Sequence, residues 1–195
     1  MRWVLKIGGS LYKHTKLKNV LAHAKHLSRT SAKCTIVPGG GPFADQVRAA
    51  YKRWHLDEQT AHRMAILGMR QYGRLLANLS RLPVYYSDDW DGERCAIWLP
   101  TDHPIPTCLA KIPHQQLDWD FTSDSIAICL ADHIGAEYLV LVKAVSVNQV
   151  GSFADLVDKR FVGLMQDRSV KVVCLSVEEW LQRSTAGAVE KVLPL

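Results

Sequence analysis

A chain of 195 residues, 48% hydrophobic and 22% charged, has the composition of an ordinary soluble globular domain, long enough to bury a core. Its formal net charge of +5 suits acidic ligands such as phosphates. The basic residues are scattered and only the stretch 13–33 is locally basic, which reads as a solvated helix face and argues against a nucleic-acid surface.

In chain order, residues 2–7 predict a strand and 17–27 a helix with Leu17, Val20, Leu21, Ala24 and Leu27 on one face. Residues 34–37 predict a second strand, cut by Pro38 and three glycines. Pro42 then opens a helix whose apolar side is Phe43, Val47, Ala50 and Trp54. A long helix rich in Ala, Met and Leu follows over 59–79. Two short strands, 83–86 and 95–99, flank a polar turn at 87–94, and the Pro-rich stretch 100–116 reads as loop. A helix over 122–134 leads into a strand over 137–142. The region 152–166, a strand over 170–175, a short helix over 177–183 and a last strand near 189–193 complete the pattern. Nearly unbroken apolar strands joined by helices predict an α/β fold, a three-layer αβα sandwich around a mainly parallel sheet, as one domain over 1–195.

Five widely spaced cysteines without a C-x-x-C pair argue against a zinc ribbon or a disulfide framework. No run of eighteen apolar residues could span a membrane, and the N-terminus lacks a signal-like apolar segment, so a cytoplasmic protein is expected.

Ligands of a parallel sheet gather at the carboxyl ends of its strands. Two glycine clusters fall there: Gly8-Gly9, two residues after Lys6, and Gly39-Gly40-Gly41, which runs into a helix N-terminus. Glycines let consecutive N–H groups converge on an anion, and a helix start adds a positive dipole end. One pair alone would read as a tight turn; two clusters beside a lysine point to phosphate. Neither G-x-x-x-x-G-K-[ST] nor G-x-G-x-x-G after a strand occurs, so P-loop and dinucleotide sites are unsupported. Asp118, Asp120 and Asp124 cluster in "DWDFTSDSIA", where Thr122 or Ser123 could cap the helix that follows.

Together, "KIGGS", "VPGGGPFADQVR", the A-H-x-M-A segment at 61–65 and "WDFTSDSIA" resemble the amino acid kinase family, which includes acetylglutamate, carbamate, aspartate, uridylate and isopentenyl phosphate kinases. Within it, the chain is most similar to the branch of aminomethylfuran phosphate kinases of methanofuran biosynthesis. The resemblance implies ATP with Mg²⁺, a small phosphate or carboxylate acceptor, and catalytic roles for Lys6 and Asp124, the latter holding lysines in position. It implies nucleotide contacts from Lys6, Gly8, Gly9, Ser10, Gly41, Lys143 and Ser146, and acceptor contacts from Gly39, Gly40, Asp45, Asp120 and Thr122. It implies no protein-held metal, no nucleic-acid or membrane partner, and a homo-oligomer paired through helix 59–79, whose Met64, Leu67, Met69, Tyr72, Leu75 and Leu76 exceed what one sheet contact uses.

The chain departs from the family after its strand at 137–142. Ser146 and Asn148 stand where aspartates are common and Gln149 where glycine is, and the family's downstream lysine has no counterpart, which makes Lys143 the candidate second cation. A noncatalytic nucleotide- or oxyanion-binding member acting as a sensor or subunit is therefore the alternative to an ATP-dependent small-molecule kinase. His23 and His26 lack a third metal ligand; His62 and His103 are candidates for substrate contact, His55 for the surface, and Trp119 for the face of a planar ring.

Overall fold

A computed structural model describes residues 1–30, 33–88, 92–113, 117–145 and 152–183. Its strands are β1 (Arg2–Ile7), β2 (Lys33–Pro38), β3 (Val84–Tyr85), β4 (Cys95–Trp98), β5 (Tyr138–Lys143) and β6 (Lys171–Ser176). They form one sheet in the order β3-β4-β2-β1-β5-β6, and every neighbouring pair is parallel. The inner strands β1, β2 and β5 are buried almost throughout, as a parallel sheet covered on both faces requires.

The helices are α1 (Leu17–Thr30), α2 (Gly41–Trp54), α3 (Glu58–Ser80), α4 (Ser123–His133), α5 (Phe161–Gln166) and α6 (Val177–Leu181). Side chains alternate across the pleat, so each strand feeds two cores. Trp3, Leu5 and Ile7 of β1 pack with Leu21 and Leu27 of α1 and Trp180 of α6. Val4 faces the other way, into a core with Ile126, Ile128 and Leu130 of α4 and Phe161 of α5. The long helix α3 serves both, through Tyr72 and Leu76 in the first core and Ile66 and Met69 in the second. This is the three-layer αβα sandwich expected from the sequence.

Three expectations need correction. Trp54 does not join the apolar side of α2; it is 67% exposed, with the Arg53 guanidinium 5.1 Å from its ring centroid. Met69, Tyr72 and Leu76 are spent in the chain's own core and Leu75 packs against it, so only Met64 and Leu67 remain of the apolar face assigned to a second copy. A five-residue 3₁₀ segment, Gly9–Lys13, begins at the second glycine of the first pair, where no element was foreseen. The strand near 189–193 lies outside the described residues. No helix among them is long and apolar enough to cross a membrane, and the five cysteines are free.

Candidate active site

The two glycine loops meet each other before they meet any ligand. A Cβ on Gly39 would stand 2.6 Å from the Gly9 nitrogen, and one on Gly9 would stand 2.6 Å from the Gly41 nitrogen. Backbone therefore packs on backbone across the ends of β1 and β2, which only glycine allows. Two of the predicted anion donors are consumed in this joint: the Gly8 amide donates to the Val142 carbonyl at 3.1 Å and the Gly39 amide to the Ile7 carbonyl at 2.8 Å. That corrects the assignment of Gly8 to the nucleotide and Gly39 to the acceptor. Gly9, Gly40 and Gly41 line the cleft instead, and Gly41 has the positive φ of 55° that turns the chain into α2. Gly9→Ala is expected to cost about 1–3 kcal/mol by overpacking and to lower the melting temperature by several degrees. An unchanged melting curve would show that the loops part freely. Gly40→Val is a poor probe of ligand approach, because its Cβ would lie 2.3 Å from the Ala44 Cβ and displace α2.

The cleft between these loops and the start of α4 has a volume of about 500 Å³. Lys6 and Asp124 stand in its wall. The β1 pleat turns Lys6 toward α4, and its Nζ lies 2.8 Å from Asp124 Oδ1. Lys143, at the end of the neighbouring strand β5, donates to Asp124 Oδ1 at 3.1 Å and Oδ2 at 2.9 Å, and to the Leu156 carbonyl at 2.5 Å. All three groups are buried, with relative exposures of 3%, 5% and 8% for Lys6, Asp124 and Lys143. Burial opposes ionisation of Asp124, but the two ammoniums outweigh it and hold the carboxyl below its usual range. Burial and the Lys6 charge together pull Lys143 below the usual lysine value.

An ammonium has three N–H groups, and Lys143 has all three engaged. It does not line the cleft. This corrects its assignment to the nucleotide: Lys143 sits behind Asp124 and fixes that carboxylate, and of the two lysines on Asp124 it is Lys6 that faces the cleft, which Lys13 also lines.

The helix that carries Asp124 is not capped by its own sequence. Thr122 occupies the cap position without a capping side-chain bond. Its backbone N–H and hydroxyl both donate to Asp158 Oδ2, at 3.2 and 2.8 Å, as does the Ser125 amide at 3.0 Å. The Ser125 hydroxyl and the Phe161 amide donate to Asp158 Oδ1. One carboxylate thus satisfies the first turn of α4 and the start of α5. Sequence reading missed Asp158.

The other expected residues divide. Ser10 and Asp45 line the cleft, though Asp45 is an exposed rim residue 2.6 Å from Arg48 Nη1. Thr122 borders the cleft and a smaller side chamber. Asp120 borders neither and pairs with Lys159 at 3.0 Å, so the carboxylate in the chamber wall is Asp118, bonded to Arg160. Trp119 also lines the chamber, stacked on Tyr51 with ring centroids 5.3 Å apart. His55 and His103 are exposed. His23 packs edge-on against Trp180. Ser146, Asn148 and Gln149 lie outside the described residues. Among the described residues no group of three His, Cys, Asp or Glu side chains could hold a metal ion.

The sequence model of the amino acid kinase family matches residues 1–147. A [5-(aminomethyl)furan-3-yl]methyl phosphate kinase from Methanocaldococcus jannaschii is 29% identical over an alignment 145 residues long that covers 71% of this chain; the match spans only 63% of that relative's length. The structure of uridylate kinase from Archaeoglobus fulgidus aligns at a TM-score of 0.69 with 16% identity, covering 100% of this chain and 98% of its own. UMP kinase from Ureaplasma parvum aligns at 0.66 with 14% identity, covering 93% and 91%. Aspartate kinase from Synechocystis aligns at 0.63 with 12% identity, covering 95% of this chain and 39% of its own. These structural likenesses are of fold, whereas the family match takes in both glycine loops, Lys6, Asp124 and Lys143. The chain belongs to the amino acid kinase family.

Proposed function

We propose that this protein is an ATP-dependent small-molecule kinase, and that its acceptor is an aminomethylfuran phosphate converted to the diphosphate. The observation that carries the reading is the cleft-facing Lys6, held by buried Asp124 beside two glycine loops that present Gly9, Gly40 and Gly41. In the reaction an oxygen of the acceptor phosphate attacks the γ-phosphorus of ATP. A new P–O bond forms, the bond to the β,γ-bridging oxygen breaks, and ADP leaves. Such a transfer asks the protein for alignment and for charge neutralisation on the moving group. Lys6 supplies the cation, and Asp124 holds its ammonium in place without accepting a proton. Magnesium, when bound, neutralises phosphate oxygens. Asp124 is committed to two lysines, so the ion fits this site as part of the nucleotide complex, held by phosphate and water oxygens.

The acceptor class is supported by the similarity to the M. jannaschii relative and by a chamber beside the second glycine loop with aromatic walls. The second reading, a noncatalytic binder of the same ligands, is favoured by one observation: Lys143 is turned away from the cleft, which leaves fewer cations for the transferred group.

A coupled ADP-release assay with aminomethylfuran phosphate, uridylate and acidic amino acids as acceptors separates the two. Turnover with the first is expected. ATP binding without turnover on any acceptor would favour the sensor reading. Lys6→Ala should lower kcat about 10²–10³-fold, the scale of one lost charge-stabilising donor. Lys143→Met should lower it by less, because Lys6 still meets Asp124. Equal losses in the two variants would mean that both lysines touch the phosphates.

A further inference from the structure

Between the second glycine loop and the start of α4, a side chamber of about 70 Å³ opens off the cleft, sharing Gly40, Ala44 and Thr122 with it. That is room for a small ligand group such as a single planar ring. Phe121, Trp119, Ile66 and Met69 make its walls apolar and aromatic. Two polar side chains stand among them in a way that needs explaining.

The first is His62 on α3, 6% exposed, with its ring edge-on to Phe121 at 6.2 Å between centroids. Its Nε2 is buried and has no hydrogen-bond partner. A buried polar atom left unpaired costs free energy, and native structures rarely keep one without a use. Burial holds the ring below the usual histidine value, hence neutral, while backbone hydrogen bonds with Asp118 and Phe121 act on it in the opposite sense. With the ring proton on Nδ1, the unpaired Nε2 is a bare lone pair: an acceptor. The second group is the Asp118 carboxylate, largely buried, which accepts the Phe121 amide at 3.1 Å and bonds to Arg160. Aromatic faces, an imidazole lone pair and a carboxylate all favour a cationic hydrogen-bond donor. The one cation in the chamber lining, Arg48, lies 5.7 Å from the Trp119 ring centroid and pairs with Asp45.

We propose that His62 is the specificity-determining residue of the acceptor site, its Nε2 accepting a hydrogen bond from an ammonium carried by a small planar ring held between Phe121 and Trp119. This rests on the acceptor reading given above and assigns the amine to His62 and Asp118, which line the chamber; Asp45 and Asp120 do not line it and are excluded from that role. The phosphate of the same ligand then faces Gly40 and the cleft.

Calorimetric titration tests it with [5-(aminomethyl)furan-3-yl]methyl phosphate and its amine-free analogue, (5-methylfuran-3-yl)methyl phosphate. Wild type should prefer the amine about 10- to 100-fold, the worth of a hydrogen bond to a charged group. His62→Phe keeps a ring of similar size and should abolish the preference by weakening the amine ligand alone; His62→Gln, which retains an acceptor, should restore part of it. In turnover the loss should fall on KM and leave kcat unchanged. A second arm follows the ¹⁵N signals of the His62 ring as furfurylamine, which has no phosphate, is added; a shift of Nε2 is expected. A wild type that does not discriminate, a His62→Phe variant that weakens both furans equally, or a ring signal indifferent to furfurylamine would overturn the proposal. Discrimination in binding without turnover would defeat the kinase reading and leave this one standing. Furfurylamine binding with neither furan phosphate bound would defeat the acceptor reading alone.

Discussion

Asp124→Ala is expected to abolish turnover and to destabilise the fold by about 3–5 kcal/mol, the cost of breaking a buried ion pair from one side. Two ammoniums with side chains 4% and 10% exposed would be left facing each other without their shared counter-charge. For a chain of this length that is a fall of order 10 °C in melting temperature. Adding Lys143→Met to Asp124→Ala should recover part of the loss, because the second substitution removes one of the stranded charges. The pH dependence has a definite sign. The folded-state pKa of Asp124 lies below its ordinary value, so its contribution is full above about pH 4 and is lost as pH falls through the folded value. Lys143 runs the other way: its pKa is depressed in the fold, so the unfolded chain binds the extra proton and stability rises with pH between the folded value and about 10.4. Chemical denaturation across both ranges should show the acid slope in wild type and a shallower one in Asp124→Asn. A melting temperature for Asp124→Ala within a degree of wild type would mean that the lysines escape to solvent and the buried triad is not what holds this corner.

The strands were legible because each inner one is a mainly apolar run, and in β1 the buried exception, Lys6, marked the site. The glycine loops were legible as a ligand-binding feature for a reason that proved half right. Gly9, Gly40 and Gly41 border the cleft, while Gly8 and Gly39 spend their amides on carbonyls of β5 and β1. No local pattern could separate the two groups, since the distinction depends on which strand lies next door. Lys143 posed the same problem. A lysine at a strand end reads as facing ligand; only the pleat shared by β1 and β5, with α4 across it, shows that Asp124 and the Leu156 carbonyl take all its donors. Asp118 and Asp120 are two residues apart and chemically alike. Tertiary position turns the first into the chamber wall and leaves the second on the surface with Lys159. The histidine at 62 carried a weak signal, an imidazole within an apolar helix face, and its unpaired nitrogen became visible only once Phe121 and Asp118 were folded over it.

Asp158 had no such signal. Its ligands, Thr122 and Ser125, lie 36 and 33 residues away, and a helix start rich in Thr and Ser reads as self-capping. Yet this carboxylate flanks Asp124 on both sides and accepts from five donors, two of them the amides of Thr122 and Ser125 in the turn that aims Asp124 at Lys6. Asp158→Ala would leave amides and hydroxyls of a partly buried turn unpaired, so the loss should exceed the roughly 2 kcal/mol upper range for a single helix cap. Its effect on the reaction should be selective. The glycine loops stand on the ends of β1 and β2 and do not touch Asp158, so ATP affinity should hold. The Asp124 carboxylate loses its fixed position, and an ångström of misplacement costs about 10²-fold in rate. The expected variant binds ATP as wild type does and has a kcat about two orders lower. Asp158→Asn, which retains one acceptor oxygen for Thr122 and Ser125, should fall between the two. A kcat that stays at the wild-type value while stability drops would show that Asp158 only ties α4 to α5. A parallel loss of ATP affinity would show that the first turn of α4 binds the nucleotide directly.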